Sequence, residues 1–186
     1  LLLNSIGIKI IDENILKYEY LKIFFTVLCL IFLTNGFNFI DGNNGLLLGS
    51  SILVLLNLNY IIPIQNYELL ILIKINLIVV SILLIFNISS LNIITGNNGA
   101  YFLGTILGLL CLYTYKISNQ DPFMIACILF YPVFEMIFTF FRRVIFEKKN
   151  PFLPDNLHLH SIIFKLLKEK QYTYENLILN NLTSFM

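Results

Sequence analysis

The chain is poor in charge. Of its 186 residues only 12% are charged, 12 basic and 11 acidic, while 58% are hydrophobic and the mean hydropathy is +0.81. That balance excludes an ordinary soluble globular domain and belongs to the membrane class. A formal net charge of +1 leaves no bulk attraction for nucleic acid. Tryptophan is absent, so interfacial anchoring falls to 17 phenylalanines and 10 tyrosines. There are three cysteines (Cys29, Cys111, Cys127), each alone in an apolar stretch without metal or redox spacing, and they read as packing residues. Alternating apolar and polar runs are missing too, which argues against a membrane barrel. No secretory signal pattern or internal repeat is present. The chain opens at Leu1 in an apolar run that ends at Ile11, too short to span, and the expectation is a protein truncated at both ends.

What is there is a series of long apolar runs. A spanning helix needs roughly 20 mainly apolar residues. The spacing predicts spans over residues 20–40, 45–64, 69–86, 100–115 and 122–141. The expected fold is an all-α polytopic transmembrane bundle, one integral-membrane domain over 1–186, with about five spans and a partial N-terminal one. Lys22, near the start of the first span, is expected to snorkel outward. Pro132 and Glu135 fall inside the fifth.

Counting passes sorts the connections by membrane face. The loops near Asp41, near Gly96 and over 142–170 emerge together. Arg142, Arg143, Lys148, Lys149, Lys165, Lys168 and Lys170 lie on that face, against Lys9, Lys17, Lys22 and Lys116 on the other. The excess orients the shared face toward the cytoplasm.

The polar residues on this face carry the chemistry. Asn35, Asn38 and Asp41 follow at spacings of three and would share one helix face before Gly42 and Gly45 open a turn. Carboxylate and amide oxygens suit Mg²⁺ held with substrate phosphates, and equally suit capping of a helix end. Thr95-Gly96-Asn97-Asn98-Gly99 would offer backbone N–H groups to a phosphate, or simply start a helix. Arg142-Arg143 is a basic anchor or a fork for pyrophosphate. Glu135 is a partner for a basic group or an acid facing substrate. Both histidines of the chain, His158 and His160, follow Asp155 in a proline-containing loop (Pro151, Pro154). They could bind phosphate, move a proton, or be exposed without a role, but a zinc site would need more ligands than the neighbourhood holds. Asn87-Ile88-Ser89 and Asn181-Leu182-Thr183 match the glycosylation sequon. The first falls on the cytoplasmic face and the second in an unplaced tail, which discounts both.

In order and spacing, Asn35-x-x-Asn38-x-x-Asp41-Gly42-x-x-Gly45-Leu46, Gly96-x-x-Gly99-Ala100-Tyr101-Phe102-Leu103-Gly104, Pro132-x-x-Glu135 with Arg142-Arg143, and Pro151-Phe152-x-Pro154-Asp155-x-x-His158-Leu159-His160 resemble the polyprenyl-phosphate N-acetylhexosamine-1-phosphate transferases. That family includes the phospho-N-acetylmuramoyl-pentapeptide transferase. The resemblance implies an enzyme of the bacterial-type plasma membrane that moves a sugar 1-phosphate from a UDP-N-acetylhexosamine to polyprenyl phosphate, releasing UMP, in cell-envelope polysaccharide synthesis. It implies Mg²⁺ near Asp41, Asn38 and Asn97. It assigns Asn35 and Asn44 to the nucleotide-sugar side and Arg142, Arg143, His158 and His160 to phosphates, with Asp155 ordering its loop. A homodimer is left open.

Departures from the family pattern are expected to weaken the metal. Asn44 and Asn97 stand where the family carries acids, Glu135 replaces an aspartate, and Ser161 stands where a further histidine is common. Asp12-Glu13 would match an upstream acid pair, but on the wrong face. The alternatives are a degenerate member that binds lipid carrier or nucleotide sugar without turnover, and an unrelated transporter.

Overall fold

The computed structural model describes residues 19–89, 95–118, 120–148, 150, 157–169 and 183. Every regular element among them is helical. The elements are α1 (Glu19–Ile40), α2 (Leu46–Ile61), α3 (Tyr67–Ser89), α4 (Gly96–Ser118), α5 (Pro122–Ile128), α6 (Phe130–Phe141), a π-helical turn (Arg142–Phe146) and α7 (Leu159–Glu169). Among the described residues α1, α3 and α4 are long and apolar enough to cross a membrane, and α5 with α6 gives a fourth crossing if the bent pair counts as one. The chain is an integral membrane protein.

α1 is the central post, packed on α4 and α6, while α2 bridges α4 and α3. Apolar side chains gain little by leaving lipid for a helix interface, so close contact depends on small residues that let backbones approach. Gly104 supplies one such contact: a Cβ there would lie 3.0 Å from the Thr34 Cα and 3.2 Å from the Phe37 Cβ. Gly36 supplies another, since a side chain at that position would run into the Pro132 carbonyl of α6. Leu33, Phe37 and Ile40 continue α1's buried stripe. Lys22 and Thr26 begin it. Lys22 is therefore buried, contrary to the snorkelling expected of it, because its position lies on the stripe that faces the bundle.

Local chemistry sets the boundaries. α2 stops at Ile61 because Pro63 follows: Ile62 adopts the extended backbone favoured before proline (φ −70°, ψ 129°). This makes the helix shorter than the expected 45–64, 16 residues in all. α5 starts on Pro122 with Asp121 as its cap, the carboxylate accepting the Phe123 N–H at 2.9 Å. The expected span 122–141 is broken at Leu129, where the two pieces meet at 79°. Pro132 accounts for the break, because it cannot donate to the Ile128 carbonyl and its ring crowds that group. The second piece runs on through the π-helical turn, closed by the Glu147 N–H on the Arg142 carbonyl at 3.0 Å.

Candidate active site

Asp41 sits just past the end of α1, at the start of a turn that feeds α2 through Gly45, whose φ of +83° favours glycine. Two groups hold its carboxylate, the backbone N–H of Gly96 and the hydroxyl of Thr95. Both belong to the start of α4, where free N–H groups and the helix dipole favour an anion. The Gly96 N–H thus goes to Asp41. Burial outweighs these bonds and raises the Asp41 pKa to about 6. Asn97, one residue further on, is exposed.

Asn87 steadies the same turn. Its side-chain oxygen accepts the Gly45 N–H, and Asn87 itself is buried near the end of α3. The sequon at Asn87 therefore marks a structural amide. The signal for it was an amide near the end of an apolar span. Asn43 donates to the Thr183 hydroxyl at 2.6 Å, which brings one residue of the C-terminal tail onto the turn. Asn44 is buried beside it, and Asn35 spends its amide N–H on the Ile31 carbonyl at 2.7 Å.

The histidines close the site from the other side. His158 and His160 stack nearly parallel, 5.6 Å between ring centroids and 6° between planes, and both are buried. Phe39, at the tip of α1, lies 5.1 Å from the His158 ring. His160 rests against Gly42 so closely that a Cβ at Gly42 would overlap the imidazole. Burial lowers the His160 pKa to about 4, helped by neighbouring His158 and opposed by Glu135.

Glu135, 1% exposed, anchors this pair from α6. Its Oε1 accepts the Leu159 N–H at 3.1 Å and its Oε2 lies 3.4 Å from His158 Nδ1. Of the two expectations for Glu135, partner to a basic group is the one observed. Glu135, Thr139 and Arg143 follow at spacings of four and are all buried. Arg142 pairs with Glu147. Asp155 and Asp12-Glu13 lie outside the described residues.

The turn at Asp41, the start of α4 and the histidines at the start of α7 thus meet at one end of the bundle. Among the described residues no group of three His, Cys, Asp or Glu side chains could hold a metal. The oxygen donors are instead Asp41 and Asn38, whose Oδ1 is buried without a hydrogen-bond partner.

Comparison with known proteins identifies the family of this chain. A profile described as glycosyl transferase family 4 matches residues 1–115, the segment that holds Asn35, Asn38, Asp41, Asn44 and Asn97. A Thermotoga maritima protein named "Undecaprenyl-phosphate alpha-N-acetylglucosaminyl 1-phosphate transferase" is 29% identical over 141 residues, covering 74% of this chain and 42% of the relative. A Bacillus subtilis protein named "Probable undecaprenyl-phosphate N-acetylglucosaminyl 1-phosphate transferase" is 33% identical over 140 residues, covering 73% and 38%. The chain spans about two fifths of the length of these relatives. No solved structure matches it. With more than half of its residues inside the matched profile, the chain belongs to glycosyl transferase family 4.

Proposed function

We propose that the full-length protein transfers an N-acetylhexosamine 1-phosphate from a UDP-sugar to polyprenyl phosphate on the cytoplasmic face of the membrane, serving cell-envelope polysaccharide synthesis. The observation that carries this is the placement of Asp41, held by Thr95 and Gly96, at the same end as the His158–His160 pair. In the reaction, a phosphate oxygen of the lipid attacks the β-phosphorus of the donor. The bond from that phosphorus to the bridging oxygen breaks, and UMP leaves with the oxygen. Such chemistry depends on positioning and on groups set to receive developing charge. Arg143 and the two histidines would grip phosphates, and the buried ring stack would keep water from the reacting atoms.

The donor set fits Mg²⁺. Hard oxygens suit it, and Asn38 Oδ1 is a buried oxygen that lacks a partner three residues before Asp41. Asp41, Asn38 and Asn97 would hold the ion together with substrate oxygens. When bound, it would neutralise charge on the donor pyrophosphate.

A second reading is a member that binds its ligands without turnover. Asn44 and Asn97 favour it, since amides in place of acids leave Asp41 with little carboxylate support. Membranes carrying the full reading frame, supplied with radiolabelled UDP-N-acetylglucosamine and polyprenyl phosphate, separate the two. Release of UMP with label entering the lipid phase, lost on Asp41→Asn, is the expected result. UMP release that survives Asp41→Asn would overturn the site, and binding without release would establish the second reading.

A further inference from the structure

We infer that Glu135 is a positioning residue for His158, fixing a proton on Nδ1 so that Nε2 is the nitrogen presented to the phosphate-bearing ligand. The inference rests on the transferase reading for the ligand's identity, but its geometry stands independently.

Glu135 is buried, and a buried carboxylate is costly unless its oxygens are matched by donors. One donor is fixed, since the Leu159 N–H reaches Oε1 at 3.1 Å and sets the orientation of the carboxylate. Oε2 then faces His158 Nδ1 at 3.4 Å. With Glu135 as a carboxylate, two arrangements of that nitrogen are conceivable. If Nδ1 were bare, its lone pair would face a carboxylate oxygen, acceptor against acceptor in a buried site. If Nδ1 carries the proton, the carboxylate receives it and the repulsion becomes attraction.

Thr139 does not reverse this choice. Its hydroxyl also lies 3.4 Å from Nδ1, but a hydroxyl can donate or accept and so follows whichever state the carboxylate selects. The ring plane is set separately, by stacking on His160 and by Phe39. Tautomer and orientation are therefore fixed by different elements, α6 for the proton and the tip of α1 with His160 for the plane. A carboxylate behind an imidazole commonly plays this part in metal and hydrolytic sites. The two ring nitrogens lie on opposite sides of the imidazole, so a ligand held by Nε2 would not touch Glu135.

The test uses the full-length protein in nanodiscs with ¹⁵N-labelled histidine, His158→Ala serving to assign the resonance. The expected spectrum shows His158 protonated at Nδ1. In Glu135→Gln that preference is lost, because a carboxamide can accept from Nδ1 or donate to it. Transfer then falls by roughly 10- to 100-fold, a size typical of losing such a partner, with the loss in kcat rather than in KM for the nucleotide sugar. Glu135→Asp restores both the spectrum and most of the turnover. A wild-type His158 in the Nε2–H form overturns the inference whether or not any variant folds. So does a Glu135→Gln protein with unchanged spectrum and rate. If the wild type transfers nothing, the transferase reading fails while the spectrum still decides the role of Glu135.

Discussion

α3 and α4 have the same length, 23 residues, and lie in the same bundle, but they meet opposite surroundings. The most apolar window of α3 has mean hydropathy 2.9 and is 17% buried; that of α4 has 1.4 and is 50% buried. The less hydrophobic helix is the more buried one, the reverse of a soluble protein. In lipid an apolar surface needs no cover, so burial follows small residues and polar partners instead. α4 brings Gly104 and Gly108 to the face of α1 and sets its first turn on Asp41. α3 reaches the site only near its end, through the Asn87 amide and through Leu84 and Ile88 beside Gly45.

Substitutions along the two helices should therefore differ in cost. The largest effect is expected at the α1–α4 seam, where Gly104→Leu drives a side chain into Thr34 and Phe37. Overpacking of this kind costs about 1–3 kcal/mol, read as a lower unfolding midpoint of the full-length protein in a denaturing-detergent titration. Asn87→Ala comes next, since it strands the Gly45 N–H inside the bundle at about 1–2 kcal/mol. It should also lower transfer, because the turn that carries Asp41 loses a support. A normal rate with Asn87→Ala would show that α3 only fills space. The smallest effect belongs to Ile78→Ala on the exposed face of α3, expected within about 0.5 kcal/mol of wild type. A large loss there would mean that this face packs against protein rather than lipid.

The long elements were legible because membrane helices announce themselves by length. Runs expected at 20–40, 69–86 and 100–115 became Glu19–Ile40, Tyr67–Ser89 and Gly96–Ser118. α4 starts four residues early because Gly96 takes φ +70° and Asp41 caps it, a tertiary contact that no local pattern reveals. Pro132 was visible inside the fifth run, but its consequence, a 79° break rather than a gentle kink, depends on how α6 packs against Gly36. The Asp41, Gly96 and histidine segments, expected on one face, do meet. Three or four helices, rather than the expected five, are long and apolar enough to cross among the described residues. The roles of individual amides were harder to read. Asn87 matched only a discounted sequon and proved to be a backbone partner, while Lys22 was expected to snorkel and proved to be buried. In both cases the deciding fact is which way a helix face turns within the bundle.

The central claim is that segments more than 100 residues apart in the chain close on one another, Gly42 against His160. It is tested most directly by cross-linking. Every native cysteine is replaced, Cys29, Cys111 and Cys127 included, and the pair Gly42→Cys with His160→Cys is treated in membranes with a short bis-thiosulfonate reagent. Efficient intramolecular cross-linking, slowed by bound UDP-sugar, is the expected result, with an Ile78→Cys and His160→Cys control remaining unlinked. Cross-linking no greater than that control would contradict the site.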